Sequence, residues 1–377
     1  MQFTPVKVPF VNLALQNQPL ETQIKQAITN VISRGDFVLG QALGDFENMF
    51  ANACKVEFGI GVASGTNAIA LGLTACGIGS GDEVLVPANT FIATIIGIIA
   101  AGATPVLVDC NPKTALIDLE AAAKAITKKT RAILPVHLYG QMLSPEKLLD
   151  FAETYKLIIF EDAAQAHLAT REGEIAGTIG VAAAFSFYPS KNLGAFGNGG
   201  MLITKDEAIA KKVKTLRNYG APSKYYHTER GTNSRLDTIQ AAILQVKLPH
   251  LPKWNQLRNT AAKEYDKYLK QLQGINVIEN HSGDGHIYHL YVIRILESCC
   301  LNREQIAEKL AENGIQTGIH YPIPCHLQPA YKYLGYQIGD FPQAERLCNE
   351  ILSLPMYPGI SKTQIEFVCE QLSALVG

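Results

Sequence analysis

Short apolar runs alternate with amphipathic stretches between residues 56 and 205. Several of the runs have no polar face, which is typical of parallel strands covered on both sides. The runs that we interpret as strands are FGIGVAS (58–64), EVLVPA (83–88), TPVLVDC (104–110), RAILPVHL (131–138), LIIFEDAA (157–164), AAAFSF (182–187) and GGMLIT (199–204). Helical patterns separate most of them, at 66–77, 91–101, 118–127 and 145–155. This alternation predicts an α/β fold with a mostly parallel central sheet flanked by helices.

The pattern changes after about residue 205, where long charged stretches at 205–218 and 235–273 favour helices. A polar, aromatic and basic segment, NYGAPSKYYHTERGTNS (218–234), lies between them. The remaining elements that we predict are a strand at 287–295 and helices at 302–313 and 361–375. We therefore expect a large domain at 1–247 and a smaller C-terminal α+β domain at 248–377.

Composition narrows the class of protein. The 377 residues are 47% hydrophobic and 18% charged, which is enough apolar material for a large core. A net charge of −1 argues against nucleic acid or an anionic membrane as the main partner. The eight cysteines contain no CxxC pair and predict reduced thiols in a cytoplasmic protein without a metal site. The N-terminus does not resemble a signal peptide, and the apolar stretch at 92–108 predicts a buried helix followed by a strand.

The stretch ASGTNA (63–68) follows a predicted strand and begins a helix. Gly65 permits a tight turn, and the backbone N–H groups of Gly65, Thr66 and Asn67 would be free at the helix N-terminus. Such an end binds anions, and the hydroxyl of Thr66 adds a donor. A helix start that is simply capped remains the alternative.

Two further stretches carry polar groups at predicted strand ends. FEDAAQAH (160–167) contains Glu161 and Asp162, where a carboxylate either caps a helix or pairs with a charge in a site. His167 alone is more typical of a packed histidine than of a catalytic one. FSFYPSKNLGAFGNGG (185–200) places Lys191 among glycines and serines, including Ser186 and Ser190. A desolvated lysine there is a nucleophile, whereas the commoner alternative is a surface lysine.

The three elements together favour pyridoxal 5′-phosphate as cofactor. Its phosphate needs N–H and hydroxyl donors, its pyridine nitrogen needs a carboxylate, and its aldehyde needs a lysine. These groups follow successive strands in that order, at the sheet edge where ligands of α/β folds bind.

The sequence resembles the DegT-type family of pyridoxal-phosphate-dependent sugar-nucleotide aminotransferases, within the fold-type-I superfamily. The similarity runs from PFVNL (9–13) to SLPMYP (353–358). The most specific matches are EDAAQAH, FSFYPSKNLGAFG, GTNSRLDTIQAAIL (231–244) and HYPIPCH (320–326). The resemblance implies a fold-type-I aminotransferase with a large cofactor-binding domain and a smaller C-terminal domain.

The resemblance also implies roles at the cofactor ring. Lys191 would form the Schiff base and move the proton between the substrate carbon and the cofactor. Asp162 would pair with the pyridinium nitrogen, and Gln165 would bond the ring hydroxyl. Phe91 would stack on one face of the ring, and the small Ala164 would lie on the other.

Gly65, Thr66 and Ser186 would hold the phosphate by the same resemblance. Asn233, in GTNSRLD, would reach the cofactor phosphate of a neighbouring subunit, which implies a homodimer with shared active sites. Relatives that dehydrate sugars carry histidine at the lysine position, so Lys191 favours an aminotransferase. The sequence departs from the family pattern at Asn198, where aspartate is usual, and at Leu168, where glycine is usual.

The expected acceptor is a nucleotide-linked keto-deoxyhexose, and the expected amino donor is L-glutamate, with the cofactor passing through pyridoxamine 5′-phosphate. Similarity favours C3 of a dTDP-3-keto-6-deoxyhexose, and places RGDFVLG (34–40) near the nucleotide. The residues that we expect to contact diphosphate or sugar are Lys224, Tyr225, His227, His320, Tyr321 and His326; for each, an interface role is the alternative.

Other activities remain open at this point. A C4 aminotransferase, or one that uses a UDP- or GDP-sugar, would share the same scaffold. A non-catalytic cofactor-binding regulator is a candidate of another class, but the sequence has no added DNA-binding segment and keeps Lys191 with Asp162. A Rossmann-type dehydrogenase is excluded because no GxGxxG follows the first predicted strand.

Overall fold

A computed structural model describes residues 7–376 of the chain. Its α-helices are, in chain order, α1 (Leu13–Asn17), α2 (Glu21–Arg34), α3 (Gln41–Cys54), α4 (Gly65–Ala75), α5 (Ile92–Ala100), α6 (Leu119–Lys124), α7 (Pro145–Tyr155), α8 (Glu207–Leu216), α9 (Thr238–Lys247), α10 (Leu251–Leu269), α11 (Arg303–Glu312), α12 (Pro342–Glu350) and α13 (Lys362–Val376). The strands are β1 (Phe58–Val62), β2 (Glu83–Pro87), β3 (Thr104–Val108), β4 (Thr130–Ile133), β5 (Ile158–Asp162), β6 (Thr170–Arg171), β7 (Glu174–Ile175), β8 (Ala182–Ser186), β9 (Gly200–Thr204), β10 (Ile275–Val277), β11 (Tyr291–Ile295) and β12 (Ile351–Leu354).

The central sheet has seven strands in the order β1-β9-β8-β5-β4-β2-β3. Strand β9 runs antiparallel to both of its neighbours, and every other neighbouring pair in the sheet is parallel. Separate apolar clusters cover its two faces, as the continuous apolar runs indicate. The prediction of an α/β fold with a mostly parallel sheet is confirmed.

Local sequence signals explain where several helices begin. Ser64 accepts a hydrogen bond of 3.2 Å from the backbone N–H of Asn67 and so caps α4. Helix α11 starts with a reciprocal pair, in which Asn302 and Gln305 each accept from the other's backbone N–H at 2.9 and 3.0 Å. Because these caps satisfy free N–H groups, the observed starts lie within one or two residues of those predicted.

The C-terminal part builds a second, smaller core. Strands β10, β11 and β12 form an antiparallel sheet, against which α10, α11 and α13 pack. Val8, near the start of the described range, also lies in this core and bridges to Ile315. A 3₁₀ turn at Leu248–His250 separates α9 from α10 and contains Pro249. The domain division at residue 247 stays a prediction.

The predicted strand at 287–295 is shorter in the structure, because β11 begins only at Tyr291. Tyr288 has a φ of 42°, which interrupts an extended backbone. The carbonyls of Tyr288 and His289 bond to the buried guanidinium of Arg258 instead of a neighbouring strand, at 3.0 and 3.2 Å. The segment before β11 is therefore a loop and not part of the strand, and it reaches the site described below.

The apolar stretch at 92–108 forms α5 and then β3, as the sequence predicts. Among residues 7–376, none of the helices has the length and apolar character that crossing a membrane requires.

Candidate active site

A cavity of about 460 Å³ lies at the carboxyl ends of the parallel strands of the central sheet. Ligands bind at this edge in α/β folds because the loops that follow the strands converge there. Segments that follow β1, β2, β4, β5 and β8 line the cavity, together with the approach to β9 and residues of the C-terminal part. Among its lining residues are Ser64, Gly65, Thr66, Thr90, Phe91, Thr94, Asp162, Ala164, Gln165, Ser186, Tyr188, Ser190, Lys191, Asn198, His289, His320 and Tyr321.

The structure brings together most of the residues that the sequence singles out. The predicted residues that line the cavity are Gly65, Thr66, Phe91, Asp162, Ala164, Gln165, Ser186, Lys191, His320 and Tyr321. They come from five separate segments of the chain, so their convergence is a property of the fold rather than of sequence proximity.

Asp162 is a buried carboxylate at the end of β5. Its Oδ2 accepts a hydrogen bond of 2.8 Å from the hydroxyl of Thr94, and its Oδ1 accepts one of 3.1 Å from the N–H of Ala164. Burial raises the pKa of the carboxyl, and these two hydrogen bonds oppose the shift. Within residues 7–376, no cationic side chain forms an ion pair with Asp162, so the carboxylate is available to a cationic ligand.

Lys191 lies in the loop that follows β8 and is held there by a turn, in which its N–H donates to the carbonyl of Tyr188 at 2.8 Å. Burial lowers the pKa of its amine to about 8, and the negative charge of Asp162 opposes the shift. A substantial fraction of neutral amine is therefore present near neutral pH. Such an amine can attack a carbonyl carbon or accept a proton.

The start of α4 provides a cradle for an anion. The N–H groups of Gly65 and Thr66 belong to the first turn, where no helical carbonyl can accept from them. A Cβ at position 65 would lie 2.9 Å from the Cβ of Ser186, so glycine permits β8 and its serine to approach. The hydroxyls of Thr66 and Ser186 therefore stand beside the free N–H groups, as a phosphate site requires.

Aromatic and small side chains form the walls of the cavity. The ring of Phe91 is half exposed and lies 5.1 Å from the ring of Tyr321. The amide of Gln165 accepts from the N–H of Tyr139 at 2.7 Å and donates to the hydroxyl of Tyr321 at 3.1 Å. The small side chain of Ala164 also lines the cavity. The arrangement suits a flat ring that carries polar substituents.

His326 does not belong to the cavity, which corrects the expectation from the sequence. Its side chain is fully buried, its Nε2 bonds to Glu345 at 3.0 Å, and its ring packs edge-on against Phe341. The imidazole is thus already used between the 3₁₀ turn at Cys325–Leu327 and α12. A substrate in the cavity would not reach it.

The loop at 217–237 lies outside the cavity of this single chain. Tyr225 is 85% exposed, with the Nζ of Lys224 5.2 Å from its ring centroid. His227 bonds through Nδ1 to the carbonyl of Tyr219 at 2.9 Å, and Asn233 is exposed beside Asn218. None of these four predicted residues lines the cavity, so their roles stay predictions that require a second subunit.

Sequence reasoning missed several groups that the fold places in or beside the site. Thr94 and Thr90 form a hydroxyl pair, 2.9 Å apart, that leads to Asp162. Their spacing of four residues at the start of a helix is a signal that could have identified them. His289 also lines the cavity, but it lies about a hundred residues from Lys191 and has no local motif.

The residues fit pyridoxal 5′-phosphate. The cavity combines an anion cradle whose Gly65 allows no side chain, a buried carboxylate without an ion-pair partner in the described part of the chain, and a desolvated amine. These are the groups that the phosphate, the pyridine nitrogen and the aldehyde of this cofactor require.

Comparison with known proteins gives close relatives over nearly the whole chain. A transaminase of Aneurinibacillus thermoaerophilus named for dTDP-3-amino-3,6-dideoxy-alpha-D-galactopyranose is 43% identical, covering 97% of this chain and 99% of its own. A Geobacillus stearothermophilus protein named "Pleiotropic regulatory protein" is 42% identical, covering 98% of both. The crystal structure of S. venezuelae DesV in complex with a ketimine intermediate superimposes with a TM-score of 0.94 at 41% identity, covering 98% of both chains.

The DegT/DnrJ/EryC1/StrS aminotransferase family matches residues 18–373. The match spans the central sheet, the cavity and the C-terminal sheet, and it agrees with the chemistry of the lining residues. This chain therefore belongs to the DegT/DnrJ/EryC1/StrS family of pyridoxal-phosphate-dependent sugar aminotransferases.

Proposed function

We propose that this chain transfers the amino group of L-glutamate to C3 of a dTDP-3-keto-6-deoxyhexose, giving a dTDP-3-amino-3,6-dideoxyhexose. The observation that carries the proposal is the desolvated amine of Lys191 in one cavity with the buried carboxylate of Asp162. The choice of sugar follows the A. thermoaerophilus relative, which is named for a product of this class.

Each residue of the cavity has a proposed task. Lys191 would hold the cofactor through Nζ and, when its amine is free, would move the proton. Asp162 holds the pyridine nitrogen in its protonated form, and Thr94 fixes the carboxylate that does so. Pyridoxal phosphate, when bound, supplies an electron sink that stabilises negative charge on the reacting carbon.

The phosphate would lie at the start of α4, held by the N–H groups of Gly65 and Thr66 and by the hydroxyl of Ser186. Phe91 and Ala164 would enclose the ring, and Gln165 would orient it. These groups would exclude water and hold the ring within reach of Lys191.

Lys191 would act in both halves of the reaction. In the first, its neutral amine would accept the proton from Cα of glutamate, whose amino group stays with the cofactor while water supplies the keto oxygen of the departing 2-oxoglutarate. In the second, its ammonium would deliver a proton to C3 of the sugar, which gains that amino group and loses its keto oxygen as water. A pKa of about 8 suits both directions, because both protonation states are populated near neutral pH.

The first test is spectroscopic. The visible absorbance of the bound cofactor should fall with L-glutamate and, after the glutamate is removed, return with the 3-keto sugar. A return with only the 4-keto isomer, or with a UDP- or GDP-ketosugar, would keep the aminotransferase and change the acceptor. In Lys191→Ala, borohydride treatment and mass spectrometry should find no cofactor attached to the chain, and full activity of this variant would remove Lys191 from the mechanism.

A regulator without catalysis is the second candidate, because the G. stearothermophilus relative is named for regulation. The lowered pKa of the Lys191 amine favours an enzyme over a regulator, because cofactor binding alone does not need such an amine. Turnover of both half-reactions would exclude a purely regulatory protein.

We further propose a homodimer with shared sites, in which Asn233 reaches the partner's cofactor phosphate. The exposed residues Lys224, Tyr225 and His227 would contact the diphosphate or sugar in the partner's site, whereas His320 and Tyr321 would do so in their own. Mixing Lys191→Ala with Asn233→Ala tests this, because a mixed dimer contains one site with both residues intact. Activity in the mixture above that of either variant supports sharing, and its absence would argue for separate sites.

We also propose a cellular compartment and a functional division of the chain. All eight cysteines are unpaired, which favours a reducing compartment, and we propose the cytoplasm. We also propose that the chain divides functionally near residue 247, with most cofactor contacts before it.

A further inference from the structure

Asn192, the residue after Lys191, connects the loop that follows β8 to the C-terminal part of the chain. Asn192 is almost completely buried, and its Nδ2 donates to Oδ1 of Asn255 at 2.9 Å and to the carbonyl of Ile287 at 3.1 Å. A backbone carbonyl can only accept, so the Asn192 atom that faces Ile287 has to be the amide nitrogen. The other terminal atom of Asn192 is therefore an oxygen, which can only accept.

This oxygen fixes the proton on a neighbouring histidine. The Oδ1 of Asn192 lies 3.2 Å from Nδ1 of His289, so Nδ1 must carry the hydrogen. Burial and the positive charge of Lys191 hold the pKa of His289 well below its usual range, and the ring is neutral. In a neutral imidazole with hydrogen on Nδ1, Nε2 presents a lone pair.

The lone pair is accessible from the cavity. His289 lines the same cavity as Lys191 and Asp162. Within residues 7–376, Nε2 of His289 has no hydrogen-bond partner, and it keeps some solvent-accessible surface. The accessible surface of this largely buried ring therefore belongs to the cavity. A ligand in the cavity can therefore donate a hydrogen bond to Nε2, because the bonds made by Asn192 keep the hydrogen of His289 on Nδ1.

We propose that Nε2 of His289 accepts a hydrogen bond from a hydroxyl of the acceptor sugar, on a carbon next to the keto group. The inference rests on the proposed function and deepens it by naming a group that distinguishes the two substrates. The amino donor carries two carboxylates, which a lone pair repels, whereas the sugar carries hydroxyl donors beside its reacting carbon. His289 would thus favour the second substrate without assisting the first.

The variant His289→Phe removes the acceptor together with the Nδ1–H donor to Asn192, and it keeps an aromatic ring. We expect kcat/KM of the ketosugar half-reaction to fall about 5- to 10-fold, the value of one neutral hydrogen bond, and that of the glutamate half to stay within about 2-fold. His286→Phe is the matched control, because His286 is a buried histidine of the same loop that stacks on Tyr288 and does not line the cavity. An equal loss in both halves with His289→Phe would overturn the inference and give His289 a structural role.

A second measurement does not depend on the folding of the variant. Wild-type enzyme should use analogues of the ketosugar that lack the 2- or the 4-hydroxyl, and one analogue should lose about 5- to 10-fold in kcat/KM. The His289→Phe variant should be indifferent to that deletion, and His289→Gln, which restores an acceptor oxygen, should recover part of the loss. A wild-type enzyme that ignores both deletions contradicts the inference. A wild-type enzyme that turns over glutamate but no 3-ketosugar contradicts the proposed function instead.

Discussion

The hydroxyl of Thr94, in the first turn of α5, donates to Oδ2 of Asp162 at the end of β5 over 2.8 Å. The oxygen of Thr90 lies 2.9 Å from that of Thr94, so a short chain of hydroxyls leads to the carboxylate. Both threonines are buried. This contact opposes the effect of burial, which raises the pKa of the carboxyl, and favours the ionised form that a pyridinium needs.

Replacing Thr94 with valine should weaken cofactor binding by about 10-fold or more, because a hydrogen bond to an ionised group is removed from a buried site. The measurement is a titration of apoenzyme with pyridoxal phosphate, followed by absorbance. Thr90→Val is the matched control. The hydroxyl of Thr90 contacts Thr94 and not the carboxylate, so its loss should weaken cofactor binding clearly less. Equal effects of the two variants would show that Thr94 acts through packing alone.

Replacing Asp162 with asparagine should separate cofactor affinity from the stability of the apoprotein. Affinity should fall at least 10-fold, because the proposed partner of the pyridinium loses its charge. The folded-state pKa is raised, so the ionised carboxylate destabilises the folded apoprotein at pH values above its unfolded pKa of about 3.9. Urea unfolding of apoprotein at pH 7 should therefore find Asp162→Asn at least as stable as wild type, and a clear loss of stability would contradict this account of the site.

Glu161→Gln should give the opposite result. Glu161 is fully buried, and its two oxygens accept from His137 at 2.8 Å and from the N–H groups of Gly177, Ile179 and Gly180 at 2.8, 2.9 and 2.8 Å. An amide nitrogen placed among these donors should cost about 2–4 kcal/mol in unfolding free energy. Cofactor affinity should change less than about 2-fold, and a large loss in the same titration would mean that Glu161 belongs to the cofactor site.

The Glu161–Asp162 pair illustrates what the sequence can and cannot predict. Alternation along a strand requires the two carboxylates to face opposite sides of the sheet, but both are polar, so periodicity does not tell which one faces the ligand. That choice depends on the N–H groups of the loop before β8, which bind Glu161 and leave Asp162 for the cavity. The strands and helices themselves follow from apolar periodicity. Motifs at strand ends point to Gly65, Asp162 and Lys191 as cofactor contacts, whereas the proposed ring contacts Phe91 and Ala164 follow only from the family resemblance.

The remaining groups depend on contacts that no local pattern encodes. His289 reaches the cavity through Asn192, which is distant in sequence, and through a loop whose positive φ at Tyr288 ends the expected strand early. His326 looks like a site residue in HYPIPCH but is bound by Glu345 in a later helix. The exposed residues Asn233 and Tyr225 do not line the cavity of their own chain, and their proposed roles depend on a second subunit.

Leu168 occupies a left-handed backbone conformation, with a φ of 61°, which glycine adopts without strain. This conformation costs a side-chain-bearing residue about 1–2 kcal/mol. Leu168→Gly removes that cost together with some packing, whereas Leu168→Ala loses the packing and keeps the strain. Urea unfolding should therefore find Leu168→Gly more stable than Leu168→Ala by about 1 kcal/mol. The reverse order would mean that the backbone at this position is not strained.

Lys191→Met should stabilise the apoprotein while it abolishes catalysis. Burial lowers the folded-state pKa of the amine to about 8, below its unfolded value of about 10.4. Between these values the unfolded chain binds more protons, so the stability of the wild-type apoprotein rises with pH across this window, and below pH 8 the full penalty remains. Methionine has no charge to desolvate, so the variant should be more stable than wild type at pH 7 and lack this rise from pH 8 to 10.

Lys128→Met, on an exposed loop, is the control and should leave the pH profile of urea unfolding unchanged. If Lys191→Met were no more stable than wild type at pH 7, the amine would be well solvated, and its role as a nucleophile would need another cause.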